Sequence, residues 1–111
     1  MSFDLDRVLK AQPDRLDALI YRASAYRGQS QLDPALADID RALQLAPDSV
    51  PGLLERGNIR GLKGDAAGAR ADWLRVSLLA PGTPADDAAK ANIERLDVKP
   101  DKPLTAPAPR R

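Results

Sequence analysis

"ALADIDRALQLAPDS", residues 35–49, and "ARADWLRVSLLAPGT", residues 69–83, decide how the rest of the chain is read. At matching offsets, 34 residues apart, both carry Ala, Ala, Asp, Arg, Leu, Ala and Pro. One further step back falls on "MSFDLDRVLKAQPDR", residues 1–15, which repeats the Asp, Asp-Arg, Leu and Pro-Asp of the middle copy. Pro13, Pro47 and Pro81 form a ladder with one spacing. A fixed period of this length marks a repeat array, in which no unit buries its apolar face alone and each must stack on its neighbours.

Within one period the apolar residues recur at helical steps. Leu16, Leu19, Ile20, Ala23 and Tyr26 form one stripe; Ala35, Leu36, Ile39, Ala42 and Leu43 form another after a break from Gly28 to Asp33. Asp33-Pro34 reads as a capping side chain before a proline at the first helical position, where no N–H is needed. The next period repeats the pattern from Leu53 to Leu62 and from Ala66 to Leu79, hinged at Lys63-Gly64-Asp65. A fifth helix is expected from Thr83-Pro84 to near Leu96, with Asp86 and Asp87 favourable in its first turn.

This pattern resembles the tetratricopeptide repeat over residues 1–96. Counting units from Leu16 and Val50, the signature positions hold Leu19 and Leu53, Ala23 and Gly57, Tyr26, Ala35 and Ala69, Ile39 and Trp73, Ala42 and Val76, and Pro47 and Pro81. Small residues allow close helix approach and large ones fill the gap. Arg60 stands where an aromatic is usual, and Val76 is larger than the usual alanine. The resemblance implies an all-α fold, a short right-handed α-solenoid of antiparallel helix pairs, with five helices and a disordered tail. The expected divisions are a half repeat at 1–13, units at 16–49 and 50–83, a capping helix at 84–96 and a Pro-rich tail at 97–111. High Ala, Arg, Asp and Leu is typical of bacterial members of this family.

Comparison of the units isolates a charge pattern. Arg22 and Asp38 are 16 residues apart, as are Arg56 and Asp72, at identical places in their hairpins. Each pair is expected to bridge two antiparallel helices, since a partly buried arginine needs a partner. Asp4 holds the same place as Asp38 and Asp72, yet the matching arginine would lie before Met1. Residues Phe3 to Asp14 therefore read as a second helix without its first, kept to cover the open end of the first unit or cut from a longer array; the opening Met1 favours the first alternative.

Composition narrows the function. The 111 residues carry 17 Lys+Arg against 16 Asp+Glu, so no net field draws the chain to nucleic acid or an anionic membrane. Cysteine and histidine are both absent, which removes disulfides, the usual zinc ligands and every Ser-His-Asp set. Gly57, Gly61 and Gly64 fit neither phosphate-loop spacing. The carboxylates of Asp38/Asp40 and Asp86/Asp87 point to different helix faces and read as solvated or salt-bridged. Tyr26 and Trp73 are taken up by the core, and Arg110 and Arg111 make a poor nucleic-acid footprint. No enzyme activity, cofactor, metal, nucleic acid, membrane or small-molecule substrate is expected. No apolar run approaches the roughly 18 residues of a membrane span and no leader opens the chain, so a soluble, cytoplasmic protein is favoured.

The resemblance also implies where a partner binds, because positions two, five, nine and twelve of each first helix line the concave face in this family. These are Asp17, Ile20, Ser24 and Arg27; Pro51, Leu54, Asn58 and Gly61; and, in the last helix, Ala85, Ala88, Asn92 and Arg95. The surface has an apolar centre of Ile20 and Leu54, carboxamides that hold a ligand backbone, and basic edges at Arg27 and Arg95 suited to a carboxylate. Asn58 matches one residue of the carboxylate clamp of chaperone-binding members, but Ile20, Ser24, Ala85 and Ala89 occupy the other clamp positions, which excludes that specialisation. The expected function is a protein-protein interaction module that takes a peptide or protein segment in the groove. The alternative is an assembly or scaffold element that self-associates or docks on another repeat array through its solenoid ends.

Overall fold

A computed structural model describes residues 4–98. It contains six helices, in order α1 (Leu5–Ala11), α2 (Leu16–Gly28), α3 (Leu32–Leu45), α4 (Val50–Lys63), α5 (Ala66–Leu79) and α6 (Pro84–Val98). The expected count of five is corrected to six: it left out the half-repeat helix already read between Phe3 and Asp14, which is α1. The expected disordered tail, with Pro100, Pro103, Pro107, Arg110 and Arg111, lies outside the described residues beyond its first two positions, Asp97 and Val98, which continue α6. Phe3 lies outside them as well. No helix among the described residues is long and apolar enough to cross a membrane.

The helices stack in sequence order, with α2 against α3, α4 against α5, and α6 closing on α5. The odd connections repeat the scheme, α1 on α2 and α3 on α4, while α2, α4 and α6 lie side by side along one face. Packing follows the small and large residues of the repeat. Ala23, Ala35, Ala42, Ala69 and Ala89 are wholly buried and let the helices close up, with Ile39, Ile59 and Val76 filling the layers between them. Gly57 meets the single large aromatic of the second hairpin. A Cβ there would come within 2.6 Å of Trp73 Cδ1, so only glycine lets α4 lie on the indole.

Local chemistry sets the ends. Ser49 Oγ accepts from Gly52 N at 3.1 Å to start α4, and Asp65 Oδ1 accepts from Gly68 N at 2.9 Å to start α5. Between these two helices Gly64 takes the left-handed conformation (φ 88°) that stops α4 and turns the chain. Asp33 is not a cap, contrary to the sequence expectation: α3 begins two residues earlier, at Leu32 with Gln31 as its N-cap, and Asp33 Oδ1 accepts from Lys63 Nζ at 2.5 Å. Pro34 still falls in the first turn, where its missing N–H leaves no bond unmade.

Arginine links the stacked hairpins. Arg22 Nε and Nη2 donate to Asp38 at 2.7 and 2.8 Å, while its Nη1 reaches back to Asp6 at 3.0 Å. Arg56 repeats the arrangement 34 residues later, holding Asp72 at 2.9 and 3.0 Å and Asp40 at 3.1 Å. Each guanidinium thus ties the second helix of its own hairpin to the second helix before it. Asp38 and Asp40 divide between two arginines, as their different helix faces require. The hydrogen bonds it donates to Asp38 raise Arg22 above the ordinary arginine range, and those to Asp72 do the same for Arg56, with burial opposing both. Arg60 also donates to Asp72 at 3.1 Å, which gives the residue standing in place of an aromatic a role in the same cluster.

Candidate functional site

The side-by-side first helices form an open concavity of about 510 Å³, lined by Arg27, Asn58, Gly61, Leu62, Trp73, Asn92, Arg95 and Leu96. Most of these residues are related by the repeat. Asn58 and Asn92 are 34 residues apart, as are Leu62 and Leu96, and Arg27, Gly61 and Arg95 form a series with the same step. One helix-face pattern, copied along the solenoid, thus becomes rows of like side chains across the floor.

A hydrogen-bond chain runs along the carboxamide row. Arg95 Nη2 donates to Asn92 Oδ1, and Asn92 Nδ2 donates to Asn58 Oδ1 at 3.3 Å. This sequence of donors and acceptors leaves the Asn58 amide N–H groups at the open end of the chain, directed by bonds made elsewhere. Among the described residues no acceptor meets the Asn58 amide N–H groups, so this end of the chain presents donors.

The two arginines at the edges differ in state. Arg27 is engaged on both sides of its fork by Glu55, through Nε to Oε2 and Nη2 to Oε1 (3.3 Å), and the Glu55 side chain is only 11% exposed. The expectation of a basic edge at Arg27 free for a ligand is corrected: a buried carboxylate on α4 already takes its charge. Arg95 has no carboxylate within salt-bridge distance among the described residues.

Of the residues read from sequence, the concavity gathers Arg27, Asn58, Gly61, Asn92 and Arg95. Ile20, Ser24 and Leu54 are half-buried nearer the amino-terminal end and do not line it. Asp17 is exposed and bound by Arg15 Nε at 2.9 Å, a hydrogen bond that lowers its carboxyl below the usual range. Pro51 is exposed, and Ala85 and Ala88 are half-buried on α6. The sequence reading missed Leu62, Leu96 and the lining role of Trp73. The signal for Trp73 was Gly57 and Gly61 four residues apart on the helix facing it. Nothing local marked Glu55 as the partner of Arg27, because the two meet only once α2 and α4 are stacked.

A second polar cluster lies at the start of α6. Asp86 is 2% exposed, and its Oδ2 accepts from Gly82 N at 2.8 Å and faces Lys90 Nζ at 3.3 Å. The Gly82 N–H, with Lys90 beside it, holds its carboxyl below the usual range against the effect of burial. Thr83 Oγ1 accepts from Asp86 N at 3.2 Å, so this cluster caps the last helix.

No protein-family model and no curated protein matches the chain. Among solved structures it is similar to the first TPR domain of Spaghetti (RPAP3) bound to an HSP90 peptide, SRMEEVD, at a TM-score of 0.77 and 22% identity, covering 85% of this chain and 72% of that one. It is also similar to the second TPR domain of human RPAP3 in complex with the HSP70 peptide SGPTIEEVD, at a TM-score of 0.76 and 24% identity, covering 86% and 77%. At these identities the likeness speaks for architecture alone. The helix order, the 34-residue period and these neighbours agree: the chain has the tetratricopeptide-repeat fold.

Proposed function

We propose that this chain is a non-enzymatic interaction module whose concave groove holds an extended peptide or protein segment. The observation that carries the reading is the directed hydrogen-bond chain from Arg95 through Asn92 to Asn58, set in a concavity of about 510 Å³ with leucines beside it. A peptide backbone presents a carbonyl at every residue, so a row of oriented donors matches it whatever its side chains. The similar solved structures hold bound peptides, which supports the same class of ligand here.

The alternative, assembly through the solenoid ends, has less support. On α6 the positions that in α2 and α4 face the following helix are Asp87, Lys90, Ala91 and Glu94, all exposed. Leu19, Arg22, Ala23 and Tyr26 hold those places in α2. A charged face of that kind suits a solvated cap and resists the addition of a further apolar helix.

The test is selection of a random nine-residue peptide library on the immobilised chain, beside an Asn58→Ala/Asn92→Ala variant whose circular dichroism melt matches the parent. Peptides retained by the parent and lost by the variant support groove binding. Equal retention by both contradicts it.

A further inference from the structure

We propose that the opening at Gly61 is a specificity pocket that takes a bulky apolar side chain of the bound segment, with an acidic side chain of the same segment set toward Arg95. This rests on the groove reading above.

Gly61 sits in the last turn of α4, three residues before its C-cap Gly64, and there too glycine holds a helix less firmly than alanine. Packing does not require it. A Cβ at residue 61 would meet Trp73 Cη2 at 3.4 Å and Ala69 Cβ at 3.9 Å, both ordinary contacts. One turn earlier the situation is opposite, since a Cβ at Gly57 would collide with the indole. The two glycines face the same tryptophan, and only Gly57 is explained by it. What Gly61 does is leave a gap in its row, between Arg27 and Arg95, through which the rim of Trp73 borders the concavity. Leu62 and Leu96 flank that gap, and Leu62 is 62% exposed, an apolar side chain left in water beside the rim of Trp73. An occupant that fills the gap removes both surfaces from solvent.

Charge sets the neighbour of that occupant. The guanidinium on the α2 side is neutralised by Glu55, so it offers little to an anion. The guanidinium on the α6 side is bound only to the Asn92 carboxamide among the described residues, so its charge and its remaining N–H groups face the groove unmatched. The donor chain through Asn92 and Asn58 adds to the preference for acceptors. A segment with a Leu, Ile, Met or Phe close to an Asp or Glu satisfies the apolar gap and the unmatched cation together.

The peptide library described above tests this when the selected sequences are resynthesised and titrated by fluorescence anisotropy against four variants. Expected are peptides pairing a large apolar residue with an acidic one within a few positions. Gly61→Leu fills the gap and should weaken their binding at least about tenfold, as expected for an apolar side chain shut out of its pocket. Arg95→Ala should weaken it about threefold, as for an exposed ion pair, with the difference disappearing at high salt. Gly61→Ala should melt at or above the parent temperature, and the Gly61→Leu variant is titrated only with its own circular dichroism melt showing it folded at the assay temperature. Peptides without the apolar-acidic pairing, or Gly61→Leu binding as tightly as the parent, would overturn the pocket. Loss on Asn58→Ala with no effect of Gly61→Leu removes the pocket and leaves the groove standing; no loss on either variant, or a library that yields no peptide, removes both.

Discussion

Replacing Arg22 by Met tests the arginine ladder, because the structure makes its two rungs unequal. Asp38 has both oxygens on Arg22 and no other side-chain partner among the described residues, and its side chain is 11% exposed. Truncation therefore strands a nearly buried carboxylate. Removing one partner of a fully buried pair costs roughly 3–5 kcal/mol; Arg22 is 26% exposed, so screening by solvent lowers the figure to about 2–3 kcal/mol. Arg56→Met is milder, since Asp72 keeps its bond from Arg60, and about 1–2 kcal/mol is expected. Trp73 is the single tryptophan and is 5% exposed, so its fluorescence reports urea unfolding directly. With a slope of about 2 kcal/mol/M, the two variants should differ in midpoint by about 0.5 M. Because both arginines titrate above their unfolded range, the contribution is fully present at neutral pH and is lost only as pH rises through strong alkali. Arg56→Met costing as much as Arg22→Met, at unchanged slope, would refute the reasoning that Arg60 shares the load.

The two glycines facing Trp73 should respond in opposite directions to alanine. Gly57→Ala should destabilise by about 1–3 kcal/mol through overpacking, whereas Gly61→Ala should stabilise by about 0.5–1 kcal/mol, read as thermal midpoints on either side of the parent. Asp86, held below the usual carboxylate range by Gly82 N–H, contributes stability that is present above its unfolded pKa of about 3.9 and is lost as pH falls through the lower folded value. Asp86→Asn should accordingly flatten the acid limb of a stability-pH curve below about pH 4 while changing its shape little near neutrality. Arg41, paired with Asp14 at 2.6 Å but 46% exposed, should cost less than about 0.5 kcal/mol on replacement by Ala, and urea unfolding checks it.

Much of this architecture is legible in the sequence, because a repeat states the same packing rule more than once. The ladder of Pro13, Pro47 and Pro81 gives the period, and Leu19, Ala23, Ile39 and Ala42 give the helix faces that close on one another. Features that depend on one copy differing from the next are harder to read. Leu74 stands where Asp40 stands one repeat earlier, so the rung from Asp40 to Arg56 has no counterpart at Lys90. Charge pairing across the stack is likewise hidden: Arg27 looks like a free basic edge until α4 brings Glu55 beside it. Capping shows the same limit, since Asp33 has the residue type and the following proline of a cap, yet Lys63 from the next hairpin claims it. In the groove, position twelve of all three first helices and position nine of α4 and α6 lie in the concavity, while Ser24 and positions two and five do not, because the concavity sits toward the carboxy-terminal ends of α4 and α6.

The most direct measurement of the central claim is a two-dimensional amide NMR titration of the chain with the peptide selected most strongly from the library. The account predicts progressive shifts of the Asn58 and Asn92 side-chain amides, the Gly61 backbone amide and the lone indole N–H of Trp73. Shifts confined to the outer faces of α3 and α5, with those four signals unmoved, would contradict it.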